Sequence, residues 1–183
     1  MARARDLWSL WAGVVCQIGC ALLLAGCVGA ANHFATYTPQ FMPTPASRYS
    51  VGTVVNSSDP LKRSDVPADF DPSAELRLQL ERQISANGLA YDTNAPDAII
   101  LMATITDYDP GNAGLRWLSP GAGATILTVK CDLRQNGVDA GTIRVRRTTE
   151  TGGLYSVGQW KTIFQPVAGD IVDALKQKIR QGK

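Results

Sequence analysis

Chemistry in this chain has few side chains to work with: four cysteines, one histidine, and scattered carboxylates and glycines. The cysteines are Cys16, Cys20, Cys27 and Cys131, and the histidine is His33. A thiol or hydroxyl nucleophile needs a base beside it. His33 sits near Cys27 in a stretch without a core-forming pattern, so no Cys–His or Ser–His pair is expected. Cys131 falls in Ile126-Leu127-Thr128-Val129-Lys130-Cys131-Asp132-Leu133, where apolar and polar residues alternate. That period places Leu127, Val129, Cys131 and Leu133 on one strand face, so the thiol should point into a core as a small hydrophobe. Asp107 and Asp109 share a strand face and could begin a cation site. No further oxygen ligands are patterned nearby, and Asp109-Pro110-Gly111-Asn112 reads as a turn. Gly121-Ala122-Gly123-Ala124 precedes a strand and lacks the Gly-Lys-Ser/Thr ending of a phosphate-binding loop. These patterns imply no enzyme, no cofactor and no metal.

Cys27 differs because of what precedes it. Arg3 and Arg5 open the chain, an apolar run follows, and Leu24-Ala25-Gly26 stands directly before the cysteine. A positive start, a hydrophobic middle and small residues at a cut site make residues 1–26 a secretory signal. Leu-Ala-Gly-Cys resembles the bacterial lipobox, whose cysteine is acylated, as with palmitate, once the signal is cut before it. A transmembrane helix over residues 7–28 has the length. Against it stand Ser9, Gly13, Gln17, Gly19 and Gly26 within the run, and residues 28–47 contain no basic side chain to mark an exit. Val28 follows the cysteine, where aspartate commonly retains such proteins at the inner membrane. The resemblance therefore implies a lipid anchor in the outer membrane, facing the periplasm.

Removing residues 1–26 takes Arg3, Arg5 and Asp6 from totals of 18 basic and 16 acidic residues, leaving 16 and 15. Near-neutral charge offers no electrostatic case for a nucleic-acid partner. The remaining length suits one domain. With Cys131 the one thiol beyond the anchor, an intrachain disulfide is excluded. Residues 27–47 read as the acylated cysteine and an extended tether, rich in Ala and Thr and punctuated by Pro39, Pro43 and Pro45. Extended, about 20 such residues reach up to ~60 Å. Phe34, Tyr37, Phe41 and Met42 are unusual in a spacer, and some are expected to pack back on the domain.

The domain is expected over residues 48–183. Residues 49–55 alternate as a strand. Asp71-Pro72 is a helix start, Leu76, Leu80 and Ile84 recur every four residues with Leu78 broadening the stripe, and Asn87-Gly88 is a stop. Residues 97–108 form a strand apolar on both faces at its centre, as for a central strand. Asn136-Gly137 marks a tight hairpin between the Cys131 strand and a strand over 141–149. There Ile143 and Val145 face inward and Arg144 and Arg146 outward. Arg144, Arg146 and Arg147 read as a solvated face, with phospholipid headgroups the alternative. Val167, Ile171, Leu175 and Ile179 stripe a final helix ending in basic residues, with Pro166 starting or kinking it. The expected fold is α+β, a small mainly antiparallel sheet with two helices packed on one face in the order β-α-β-β-β-α.

Between the central strands lie Gly111-Asn112, then Arg116-Trp117-Leu118, then Gly121-Ala122-Gly123 entering a strand. This pattern resembles the family catalogued as domain of unknown function 4410, over about residues 48–177. The resemblance implies a short bacterial envelope protein, often a lipoprotein, with no activity to carry over. Asn112, Leu115, Arg116, Trp117 and Leu118 are the candidate partner-binding residues. Capping of the core's open end and contact with the membrane are the alternatives for this apolar cluster. The expected function is a non-enzymatic accessory or binding component of the envelope, held by acyl chains and meeting an envelope protein. The alternative is a carrier of lipid or another apolar ligand, with a pocket between sheet and helices. Replacing Cys27 by serine is expected to abolish acyl labelling and leave residues 1–26 uncut. Labelling with a palmitate analogue and gel mobility measure both, and unchanged processing would refute the anchor.

Overall fold

Alternation of apolar and polar residues builds a sheet that is buried on one side. The structure, a computed structural model, describes residues 31–59, 66–112, 115, 123–149 and 158–182. Its strands are β1 (Ala31–Tyr37), β2 (Arg48–Asn56), β3 (Ala90–Tyr91), β4 (Ile99–Asp109), β5 (Thr125–Gln135) and β6 (Val138–Thr149). Its helices are α1 (Pro72–Ala86), the short α2 (Gln159–Thr162) and α3 (Phe164–Gln181). The strands form one six-stranded sheet in the order β1-β6-β5-β4-β2-β3. Leu127, Val129, Cys131 and Leu133 of β5 are fully buried, as are Ile99, Leu101 and Ile105 of β4. Against them lie Leu76, Leu80 and Ile84 of α1 and Phe164, Val167, Ile171 and Leu175 of α3. The helices pack on each other, α1 also on β2 and β3, and α3 on β6, β5 and β1. No helix among the described residues is long and apolar enough to cross a membrane.

Local chemistry sets the element ends. Asp71 Oδ1 accepts a hydrogen bond from the Ser73 amide at 2.8 Å, capping α1 with Pro72 at its first position. Gly88, at φ +70°, follows the last turn. Asn136 and Gly137 both take positive φ, 52° and 77°, in the β5–β6 hairpin. Pro166 stands in the first turn of α3, where no amide is required.

Several expectations need correction. The sheet is α+β as expected but mixed, because β2 runs parallel to both β3 and β4. The connection from β2 to β4 passes through α1, and such a crossover returns the chain to the end where it started, so the strands run parallel. The β2–β4 register shifts between Val51 and Val54, and the Arg77 guanidinium of α1 donates to the carbonyls of Val51 and Gly52 at that point. The order also gains β1, from within the span read as tether. β1 pairs antiparallel with β6 from Ala31↔Arg147 to Tyr37↔Gly141. Tyr37 donates a hydrogen bond to the Ala174 carbonyl of α3 at 3.0 Å, and its ring stacks on Phe41, which is buried. Phe41 and Tyr37 thus pack back, whereas Phe34 and Met42 stay exposed. Residues 1–26 and Cys27 lie outside the described residues.

Leu78 does not broaden the buried stripe of α1. It is 39% exposed, because a two-residue step from Leu76 or Leu80 turns a helical side chain well away from their face. Leu80→Ala is therefore expected to cost about 2–5 kcal/mol in urea denaturation. Leu78→Ala is expected to cost about 0.5 kcal/mol or less.

Candidate functional site

The described helices do not cover the second sheet face, and cross-strand register arranges its side chains in rows. One row runs Phe34, Arg144, Lys130, Thr104 and Val55, and the next runs Thr36, Thr142, Asp132 and Met102. Directly paired residues point to the same side, so each row is a line of neighbouring side chains. The twist of the sheet makes part of this face a groove of about 590 Å³, lined by Thr36, Thr53, Met102, Lys130, Asp132 and Thr142 among others. That volume is of the size that takes a small ligand. Its chemistry is hydroxyls with flanking charge over Val55 and Met102 (a lining suited to hydrogen bonding). Ile100 and Met102, read as the second apolar side of a central strand, belong to this uncovered face.

Asp132 is the electrostatic centre of the groove. Oδ2 accepts from Lys130 Nζ at 2.7 Å and Oδ1 from Thr142 Oγ1 at 2.6 Å. Burial alone would raise its pKa, but these two hydrogen bonds, with the charges of Lys130 and Arg134, outweigh burial and hold it below 3.8. The groove therefore holds a fixed carboxylate whose oxygens are both engaged. Arg147 leaves this face altogether. Its Nε lies 3.2 Å from Asp170 Oδ2 on α3, at the helix-covered side. Burial raises the Asp170 pKa, and the guanidinium opposes that rise. Arg144 and Arg146 have no ion-pair partner among the described residues and remain on the open face.

The loop singled out in the sequence leaves β4 and enters β5 beside the start of β1. Register joins Ala31 to Arg147, Arg147 to Leu127 and Leu127 to Tyr108, so all four lie at one end of the sheet. The base of the loop is tightly bonded. Asp109 Oδ1 accepts from the Gly111 amide at 2.8 Å, and the Asn112 amide donates to the Gly123 carbonyl at 3.1 Å. Thr125 Oγ1 donates to the Pro110 carbonyl at 2.8 Å. Gly111 and Gly123 have positive φ, and a Cβ on either would overlap the backbone facing it. Asn112 Oδ1 accepts from the Leu115 amide at 3.0 Å, and the Leu115 side chain is 49% exposed. Arg116, Trp117 and Leu118 lie outside the described residues, as does Cys27.

Buried titratable groups cluster on the other side of the sheet. Burial, reinforced by Asp132, pushes the Cys131 thiol up to about 12. Burial likewise takes Tyr37 to about 12, with Cys131 adding to it, and Tyr49 to about 12, with Tyr37 adding to it. All three are neutral at physiological pH, and the thiol is no nucleophile there. The core side chains named above lie between sheet and helices, where a carried ligand would sit. The groove lies on the opposite face.

A scan of family models gives no match to this chain, and a search of curated proteins gives none. Among solved structures the chain is similar to the PelC dodecamer from Paraburkholderia phytofirmans in space group P6. The identity is 12% and the TM-score 0.51, over 78% of this chain and 95% of that one. A point variant of that dodecamer in space group C2 gives 13% identity and a TM-score of 0.50 over the same shares. At such identity the likeness is one of fold.

The groove was missed in the sequence because it is assembled from several strands. Its one readable signal is the polar series Thr128, Lys130 and Asp132 opposite the buried face of β5. Because the folded Asp132 pKa is depressed, its stabilising contribution is present above the unfolded pKa of 3.8 and lost as pH falls through the lower folded value. Asp132→Asn is expected to cost about 1 kcal/mol at neutral pH, given its partial exposure. It should also flatten the loss of stability below pH 3.8, which denaturation midpoints across pH would read.

Proposed function

We propose that this chain is a lipid-anchored protein of the bacterial outer membrane that faces the periplasm and acts by binding, without catalysing a reaction. Acylated Cys27 holds it to the bilayer, and the β4–β5 loop meets an envelope partner. The observation that carries this reading is the loop itself: a bonded base that holds Leu115 outward. A base fixed before binding loses less entropy on association than a mobile one. The neutral, buried Cys131 thiol supports binding over nucleophilic catalysis. Membership of the domain of unknown function 4410 family belongs to the same proposal. PelC of Paraburkholderia phytofirmans is a dodecamer, and the shared fold favours further copies of this chain among the partners.

Confinement to one surface raises the effective concentration of such a domain toward partners on that surface. The loop emerges at the end of the sheet where β1 begins, the end nearest the anchor in sequence, so the partner is one lying in or at the same membrane. Photocrosslinking in intact cells tests this, with a probe at Leu115 and a control at Val138, 69% exposed on the far hairpin. Adducts of one defined mass from position 115 alone are expected, and a mass of two chains would identify a second copy. Equal yields at both positions, or none at 115 in well-expressed protein, would overturn the loop as the binding surface.

A further inference from the structure

We infer that the β1–β6 part of the open face seats on anionic phospholipid headgroups, with Phe34 at the bilayer surface and Arg144 and Arg146 facing the phosphates. The inference rests on the proposed acylation of Cys27. Ala31, where β1 begins, is four residues after Cys27, and a fully extended chain of that length spans at most about 14 Å. The tether expected over residues 28–47 would have let the domain stand far from the membrane. With β1 built into the sheet, that distance is gone, and the β1–β6 edge must lie close to the lipid that holds Cys27.

The side chains at that edge suit the surface they meet. Phe34 is 67% exposed at the middle of an edge strand without Asp, Glu, Lys or Arg. Its cross-strand partner is Arg144, and Asn32 beside it is paired with Arg146. Lys130, the next residue in the row, is neutralised by Asp132 at 2.7 Å, whereas the two arginines have no carboxylate on them among the described residues. An aromatic ring flanked by two uncompensated guanidinium groups gives apolar contact at the interface and attraction to lipid phosphate. Arg147 makes the contrast. It points to the helix side and is held by Asp170, so the basic run of β6 is divided between a structural ion pair and a free pair on one face.

The test uses the processed, acylated chain in vesicles, which on the proposed reading has lost Cys16 and Cys20 with residues 1–26. Cys131 is buried and Cys27 is acylated on the proposed reading, so a thiol introduced by Phe34→Cys is selectively labelled with a fluorophore. The labelled protein is reconstituted into vesicles of phosphatidylcholine with phosphatidylglycerol, and quenching by a headgroup-borne quencher is compared with Val138→Cys. Strong quenching at 34 and little at 138 is expected, lost in phosphatidylcholine alone and in high salt, which shortens the range of the attraction. Each arginine contributes roughly fivefold to the ratio of seated to free domain, so Arg144→Gln with Arg146→Gln should lower it about twenty-five-fold. The salt series gives the same information if that double variant fails to fold. Protein that floats with the vesicles but is quenched equally at 34 and 138 overturns the seating and leaves the anchor standing. Quenching that ignores salt and lipid charge also overturns it. Protein that neither floats nor carries acyl mass overturns the anchor, and this inference with it.

Discussion

Leu127, Val129, Cys131 and Leu133 project from one side of β5 toward α3, and the polar residues between them project the other way. Burial of that single face against two helices is the constraint on which the other features depend. Each buried aliphatic side chain there contributes about 1.5–3 kcal/mol relative to exposure. No helix among the described residues covers the opposite face, so β5 and β6 can carry Lys130, Asp132, Thr142, Arg144 and Arg146 without desolvating them fully. The same division makes Cys131 inert and makes Asp132 the anchored carboxylate of a groove. The thiol and the polar groove thus lie on opposite faces of one sheet, and the face holding the thiol is closed.

The second dependence is the seam between β1 and β6. An edge strand of seven residues gains its main-chain hydrogen bonds from one neighbour alone. Its docking is reinforced by Tyr37, which bonds the Ala174 carbonyl, stacks on Phe41 and lies beneath Lys178 at 5.5 Å from the ring centre. Residues on the other side of the strand gain little from packing, and Phe34 remains in solvent. One strand therefore couples α3 on the helix side to an exposed aromatic group on the open side.

Much of the architecture was readable in the sequence because it is set by short-range rules. Period two in β5, the Asp71-Pro72 cap, the four-residue stripes of α1 and α3 and the Asn136-Gly137 turn each rest on a few adjacent residues. Leu78 departs from the expected stripe because helical geometry, not apolar character, decides which face a residue joins. β1 was hidden by composition, since Ala31, Ala35 and Thr36 resemble the alanine and threonines of the proline-containing segment that follows. The parallel pairing of β2 with β4 depends on where α1 returns the chain, which no local pattern reports. The candidate loop stood out by its glycines, and the close backbone approaches at Gly111 and Gly123 give those glycines their physical reason. The groove did not stand out, because Thr36, Thr53, Asp132 and Thr142 meet only after five strands are in register.

An acyl anchor joined to a long spacer would set where a domain is but not which way it faces. A short span entering an edge strand would change that, because the sheet would limit rotation about such an anchor. Two arginines are too few to hold a protein at a membrane alone, since stable attachment takes a second signal beyond a weak one. They would be enough to bias orientation if acylation supplied the residence. In the proposed arrangement the lipid supplies affinity and the β1–β6 face supplies direction. The loop bearing Leu115 then has a defined bearing relative to the bilayer, because it leaves β4 and enters β5 at the same end of the sheet as Ala31.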